Sequence, residues 1–124
     1  MSEKLMLVLI LEKIQYLDKL LLELSDEGIN SATVLNSTGM MQQLSQMEEE
    51  KIISTLRPLF TPAHSENKTI FMILTEEEVK IARAVIKKVI GDLNQPETGI
   101  LFALPILFTD GIRDYDYDYK NKYT

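Results

Sequence analysis

Cysteine and tryptophan are absent from this chain of 124 residues. Without thiols there is no disulfide framework, no thiolate nucleophile and no thiolate metal ligand, a composition that suits a reducing cytosol. Positive charge is in deficit, with 13 Lys and Arg against 19 Asp and Glu and a net charge of −6. That balance argues against nucleic acid as the main partner, because phosphate binding needs a basic face. Long apolar runs are missing too. The longest near the N-terminus, Leu5–Leu11, is too short for a signal h-region with its flanks or for a membrane span. Histidine occurs once, as His64 in a Pro-containing loop near Glu66, and reads as a solvated loop residue rather than a catalyst. There is no internal repeat and no low-complexity linker, so residues 1–124 read as a single domain.

What is present is ordinary for a globular chain, 45% hydrophobic and 26% charged, and its few glycines and prolines punctuate it clearly. Leu5–Leu11 is apolar throughout, as for a central strand. Ile14, Leu17, Leu20, Leu21 and Leu24 recur at helical spacing, and Gly28 stops that helix. Ser31–Thr38 is rich in β-branched residues and predicts a second strand that Gly39 ends. Met40–Met47 is flexible, polar and methionine-rich, with Ser45 and Glu48 spaced as a capping box. Ile52, Ile53, Leu56 and Phe60 predict a short helix bent or ended at Pro58, followed by loop over Thr61–Lys68. Thr69–Leu74 predicts a third strand. Thr75 and Glu78 form a second capping box, opening a long amphipathic helix marked by Val79, Ala82, Val85, Ile86, Val89 and Ile90.

The stretch Gly91–Ile106 draws most attention. Gly91 sits where a left-handed C-cap is expected, and Pro96 starts a turn. At Thr98-Gly99 backbone N–H groups face outward with no side chain in the way. The apolar run Ile100–Leu104 predicts a strand buried on both faces, and Pro105 restricts pairing there to one side. A glycine loop beside a strand suits a phosphate, and equally serves as a plain connection.

Other chemistry is weaker. Asp92 and Glu97 bracket the glycine loop either as a carboxylate pair or as solvated charges. Glu48–Glu50 and Glu76–Glu78 read as acids at helix N-termini. Asp114, Asp116 and Asp118 alternate with Tyr115, Tyr117 and Tyr119. The sixth-position Gly and downstream Glu of a calcium loop are missing, which leaves a disordered or edge-pairing tail. Met40, Met41 and Met47 either form an adaptable contact surface or cover the insertion's own helix. No metal site and no catalytic residue is expected.

The order β-α-β, insertion, β-α-β gives an α+β fold. Two units with right-handed crossovers interleave into one four-stranded sheet with both long helices on one face, the ferredoxin-like βαββαβ sandwich. A long insertion, about 40–67, separates strands 2 and 3, and a polar tail occupies about 114–124. Strands this apolar imply that the other sheet face is also buried, most simply by other subunits.

These residues together resemble the PII signal-transduction proteins (the nitrogen regulatory PII superfamily) and their PII-like relatives. The resemblance rests on Leu17-Asp18, the Gly28-Ile29 turn, Thr33-Val34, Gly39 with Gln43, and the run Gly99–Pro105. The segments 37–41 (STGMM) and 96–102 (PETGILF) look like an uncharacterised PII-like subgroup. The resemblance implies a cytoplasmic, non-enzymatic homotrimer with an adenine nucleotide-type effector in clefts between subunits. Thr33 would lie near the base, Gly39 and Met40 at the root of the signalling loop, and Gln43 near a metal ion or phosphate. Thr98, Gly99 and Ile100 would form the glycine loop, and Arg113 would match a C-terminal basic residue. The segment 40–67 would report ligand state to a target protein, by analogy a membrane transporter.

The sequence departs from the family where phosphate charge is met. Ile100 stands where the family carries Lys, Met41 and Gln42 replace a Gly and a basic residue at the loop root, and Tyr115 takes the place of a second Arg. Each charge-assisted hydrogen bond contributes about 1.5–3 kcal/mol. Losing two weakens triphosphate binding by about two or more orders of magnitude, which favours a nucleoside monophosphate or a cyclic nucleotide or dinucleotide. The competing expectation is a ligand-free scaffold or an enzyme on the same fold.

Overall fold

The computed structural model describes residues 3–48 and 66–112. The elements run β1 (Lys4–Leu11), a 3-10 turn (Ile14–Tyr16), α1 (Leu17–Asp26), β2 (Thr33–Ser37), α2 (Met40–Glu48), β3 (Asn67–Thr75), α3 (Glu76–Ile90) and β4 (Gly99–Pro105). The four strands form one antiparallel sheet in the order β2-β3-β1-β4. This is the expected α+β, ferredoxin-like arrangement: each βαβ unit is split by a strand of the other.

Side chains alternate across a strand, and residues opposite each other share a face. Leu7, Leu9 and Leu11 of β1 therefore lie on one face with Ile70, Met72 and Leu74 of β3. All six are at most 1% exposed and join Leu20 and Leu24 of α1 and Ala82, Ile86 and Ile90 of α3 in one core. Helix α3 starts on the predicted capping box. Glu78 N donates to Thr75 Oγ1 at 3.2 Å, and Thr75 N donates to Glu78 Oε1 at 2.9 Å. Glu76, Glu77 and Glu78 occupy its first turn, Lys87 and Lys88 its last, matching both ends of the macrodipole. Lys88 reaches across to Glu23 at 3.0 Å and ties α3 to α1.

The opposite face carries no helix among the described residues. It reads in rows: Leu104–Met6–Ile73, Phe102–Val8–Phe71–Thr33, and Ile100–Ile10–Thr69–Leu35. Ile100 is 60% exposed, Phe102 42%, Leu104 46% and Leu35 49%.

Three local expectations are corrected. The Met40–Met47 stretch is helical: α2 begins at Met40, so Ser45 lies inside it and Glu48 at its last residue, and neither caps an N-terminus. The start is set by Gly39, whose N–H donates to Gln42 Oε1 at 2.8 Å, while Gln43 N donates to Gly39 O at 3.0 Å. Gly91 has φ +98 and ψ −157, a glycine-only extended conformation rather than a left-handed helical cap. Among the described residues strand β4 is not buried on both faces, and it is an edge strand paired only with β1. The helix expected over Ile52–Phe60, the loop residues 61–65 with His64, and the tail from Arg113 onward lie outside the described residues.

Candidate functional site

The candidate residues gather at the end of the sheet where β1 and β2 finish and β3 and β4 begin. At the β2–β3 corner, Ser37 pairs with Asn67. Ser37 Oγ donates to Asn67 Oδ1 and shares a hydrogen bond with Thr69 Oγ1 at 2.8 Å. Asn67 is only 6% exposed, so this polar cluster is satisfied largely within itself. Gly39 stands beside it: a Cβ there would lie 3.7 Å from Asn67 Nδ2. Met40 and Gln43, in the first turns of α2, project from this corner. Met40 is 77% exposed and Gln43 is exposed too.

At the β1–β4 corner the loop 91–98 folds back on the end of β1. Asp92 Oδ1 accepts from Asn94 N at 2.9 Å and Asp92 O from Gln95 N at 3.1 Å. This places Asp92 in a turn, and Glu97 adopts φ +58. Thr98 is fully buried. Its Oγ1 donates to Pro96 O at 3.2 Å, and its carbonyl accepts from Glu12 N at 3.0 Å and Lys13 N at 3.4 Å. Thr98 therefore locks the loop to β1 and presents no side chain to solvent. Gly99 pairs with Leu11, and a Cβ on it would sit 2.8 Å from Ile10 O. Its missing side chain is thus required by the backbone of the neighbouring strand.

The two corners share one end of the sheet but not one edge. Gly39 lies by β3, Thr98 and Gly99 by β1 and β4, so about two strand spacings, roughly 10 Å, separate them. Thr33 starts β2, four residues and about 13 Å away along the strand, on the open face opposite Phe71. Ile100 follows Gly99 onto the same open face, opposite Ile10. Arg113 lies outside the described residues. Within a single chain, then, Gly39, Met40, Gln43, Thr98 and Gly99 line one end of the sheet while Thr33 stands apart.

The geometry across the sheet is decisive for the comparison with known structures. A split βαβ pair gives the order β2-β3-β1-β4, with an excursion between β2 and β3 and a glycine-ended loop before β4. The fold is that of the PII proteins. Arabidopsis thaliana PII bound to citrate aligns over 85% of this chain and 78% of its own, at TM-score 0.58 and 15% identity. A B. subtilis GlnK–ATP complex aligns over 86% of this chain and 84% of its own, at TM-score 0.55 and 18% identity. A functionally unknown protein from Pediococcus pentosaceus ATCC 25745 aligns over 90% of this chain and all of its own, at TM-score 0.60 and 16% identity. The sequence matches no protein-family model and no curated protein.

Two sites around the PII fold were not legible in the sequence. An open groove of about 610 Å³ runs along the helix side of β4, lined by Leu7, Val79, Arg83, Asn94, Leu101 and Ala103 among others. A smaller hollow of about 360 Å³ adjoins it at the end of α3, with Arg83 and Lys87 on its walls. Helical spacing places Arg83 on the flank of α3, but only the sheet order shows that β4 lies beneath that flank. Among the described residues no three His, Cys, Asp or Glu side chains converge as metal ligands. No helix among them is long and apolar enough to cross a membrane.

Proposed function

We propose that the chain is a trimeric PII-like regulator that senses a small effector of adenine-nucleotide type in clefts between subunits and controls a partner protein. One observation carries the reading: the PII fold spans nearly the whole described chain while, among the described residues, one face of its sheet carries no helix and leaves Ile100, Phe102 and Leu104 exposed. Three copies meeting on the Ile100, Phe102, Leu104 and Phe71 face would bury that layer. They would also bring the Thr33 edge of one copy toward the Gly99 edge of the next, joining candidate residues that a single chain holds apart. Gly39, Met40 and Gln43 would then flank the effector, Gly99 and Ile100 would offer it backbone, Thr98 would hold that backbone in place, and Arg113 would supply a cation.

The neighbours described as bound to ATP and to citrate support an anionic effector. The missing lysine at Ile100 favours one of lower charge than ATP. The segment 40–67, beginning on α2 with its exposed methionines, would be the output element. A membrane transporter is the partner class the resemblance suggests, and a cytoplasmic location follows from it.

The test has two arms. Sedimentation equilibrium at micromolar concentration should give a trimer; a monomer overturns the cleft. A thermal-shift panel of AMP, cyclic AMP, cyclic dinucleotides, ATP, citrate and bicarbonate should show one compound raising the melting temperature by mass action. A trimer that responds to none is a scaffold. Hydrogen exchange with the responding compound then asks whether the amides of Lys51–Leu56 change protection. Amides protected equally with and without it would remove the segment as the switch.

A further inference from the structure

The basic residues of helix α3 fall into two groups. Lys80 pairs with Glu77, and Lys88 pairs with Glu23. Arg83 and Lys87 make no ion pair among the described residues. The sequence gives the reason. On a helix, residues three and four places apart are neighbours. Those of Arg83 are Val79, Lys80, Ile86 and Lys87, and those of Lys87 are Arg83, Ala84, Ile90 and Gly91. None is acidic, so the two cations stand together on one flank with no carboxylate from their own helix.

That flank adjoins apolar ground. The groove of about 610 Å³ beside β4 and the hollow of about 360 Å³ at the end of α3 have Arg83, Leu93, Asn94 and Leu101 in common. Lys87 lies on the wall of the hollow. Leu7, Val79 and Ala103 join Leu101 in lining the groove. Ala103 pairs with Leu7, and its small side chain leaves depth that a longer one would fill. Both volumes lie in the range of about 300–1,000 Å³ in which pockets hold small organic ligands.

We propose that this depression binds a small carboxylate with a hydrocarbon body, its head at Arg83 and Lys87 and its tail along Val79, Leu101 and Ala103. Three features select that chemistry. The two cations match an anion, and a guanidinium matches a carboxylate in both charge and shape. Leu7, Val79, Leu101 and Ala103 offer no hydrogen-bonding side chain. A sugar or nucleobase laid on them would lose water without gaining partners, whereas a hydrocarbon gains by burial. Asp92 also lines the hollow and repels a second negative charge, which favours a monoanion over a phosphate monoester. All these residues belong to one chain. The site is complete without a second copy and stands or falls apart from the cleft between subunits.

Amide NMR of isotope-labelled full-length protein, titrated with octanoate, tests the proposal. Octanoate should shift the amides of Arg83, Lys87, Asn94 and Leu101. Octanol has the same tail without the charge and should bind at least about tenfold more weakly, the factor contributed by one charge-assisted hydrogen bond. Arg83→Gln should weaken octanoate binding by about the same factor. Arg83 is exposed, so this variant should keep the parent's core amide spectrum. Ala103→Leu fills the floor with both cations intact and should also weaken binding. Octanoate that binds parent and Arg83→Gln equally, or no more tightly than octanol, overturns the proposal, because apolar adhesion then suffices. A folded parent with no shift along α3 overturns it as well, because the depression is then filled by the chain itself or by a second copy. A monomer that binds octanoate here upholds this site while denying the cleft.

Discussion

Gly99→Ala tests the site most directly, because it separates a glycine kept for a ligand from one kept for the sheet. The Cβ it adds would lie 2.8 Å from Ile10 O, against an ordinary contact of at least 3.4 Å. The atom is backbone of the central strand, with no flexible end to swing aside, so β4 and β1 must separate by about 0.6 Å, the difference of those two distances. Overpacking of this kind costs about 1–3 kcal/mol. The smaller entropy of the unfolded alanine chain offsets about 0.4–1 kcal/mol. The net expectation is a loss of about 1–2 kcal/mol. Urea unfolding followed by circular dichroism, at fixed protein concentration because the proposed association would contribute, should show a lower midpoint with an unchanged slope. A midpoint equal to or above that of the parent refutes the reasoning and returns Gly99 to a purely ligand-facing role. The same clash makes Gly99→Val a poor probe of effector binding, since it disturbs the strand before any ligand arrives.

Leu9→Ala should cost about 2–5 kcal/mol by the same unfolding assay, because Leu9 is wholly buried at the centre of the core. Thr75→Ala should cost about 1 kcal/mol. In its background Glu78→Ala should cost less than it does alone, since the two side chains cap one helix end reciprocally; equal costs would deny the coupling. If the proposed trimer forms, Phe102→Asp should leave the helix face of the sheet folded yet dissociate it in sedimentation velocity; an intact trimer would place the interface elsewhere. Ile100→Lys should raise ATP affinity about tenfold or more by supplying one charge-assisted hydrogen bond. Unchanged calorimetric titration would mean that position 100 does not face the effector.

The sequence shows most clearly what is decided locally or by full burial. Leu5–Leu11 reads as a central strand because β1 is paired on both sides and packed under helices. Thr75 and Glu78 announce α3 because both partners of the cap lie within one turn. Ser45 and Glu48 mislead for a related reason. Their spacing meets the same rule, but Gly39 and Gln42 open the helix first, and glycine carries no side-chain signal of capping. Ile100–Leu104 misleads because an apolar run carries no record of what covers it, and among the described residues Ile100, Phe102 and Leu104 stay exposed. Gly99 is legible as a special position but not for its reason, because Ile10 is nearly ninety residues distant in sequence and only the ladder brings it near. The groove beside Arg83 is invisible for the same cause.

The pairing of Ser37 with Asn67, reinforced through Thr69, also bears on how such a chain can diversify. The excursion between these strands departs and returns at directly opposed positions, so its ends are closed by the sheet whatever lies between them. Loop closure entropy then grows only logarithmically, about 0.6 kcal/mol for each doubling in length. Segments of very different length and character can be exchanged at this point while the strands on either side keep their register. Inheritance can therefore act on the framework and the excursion almost independently, conserving one while the other is rewritten.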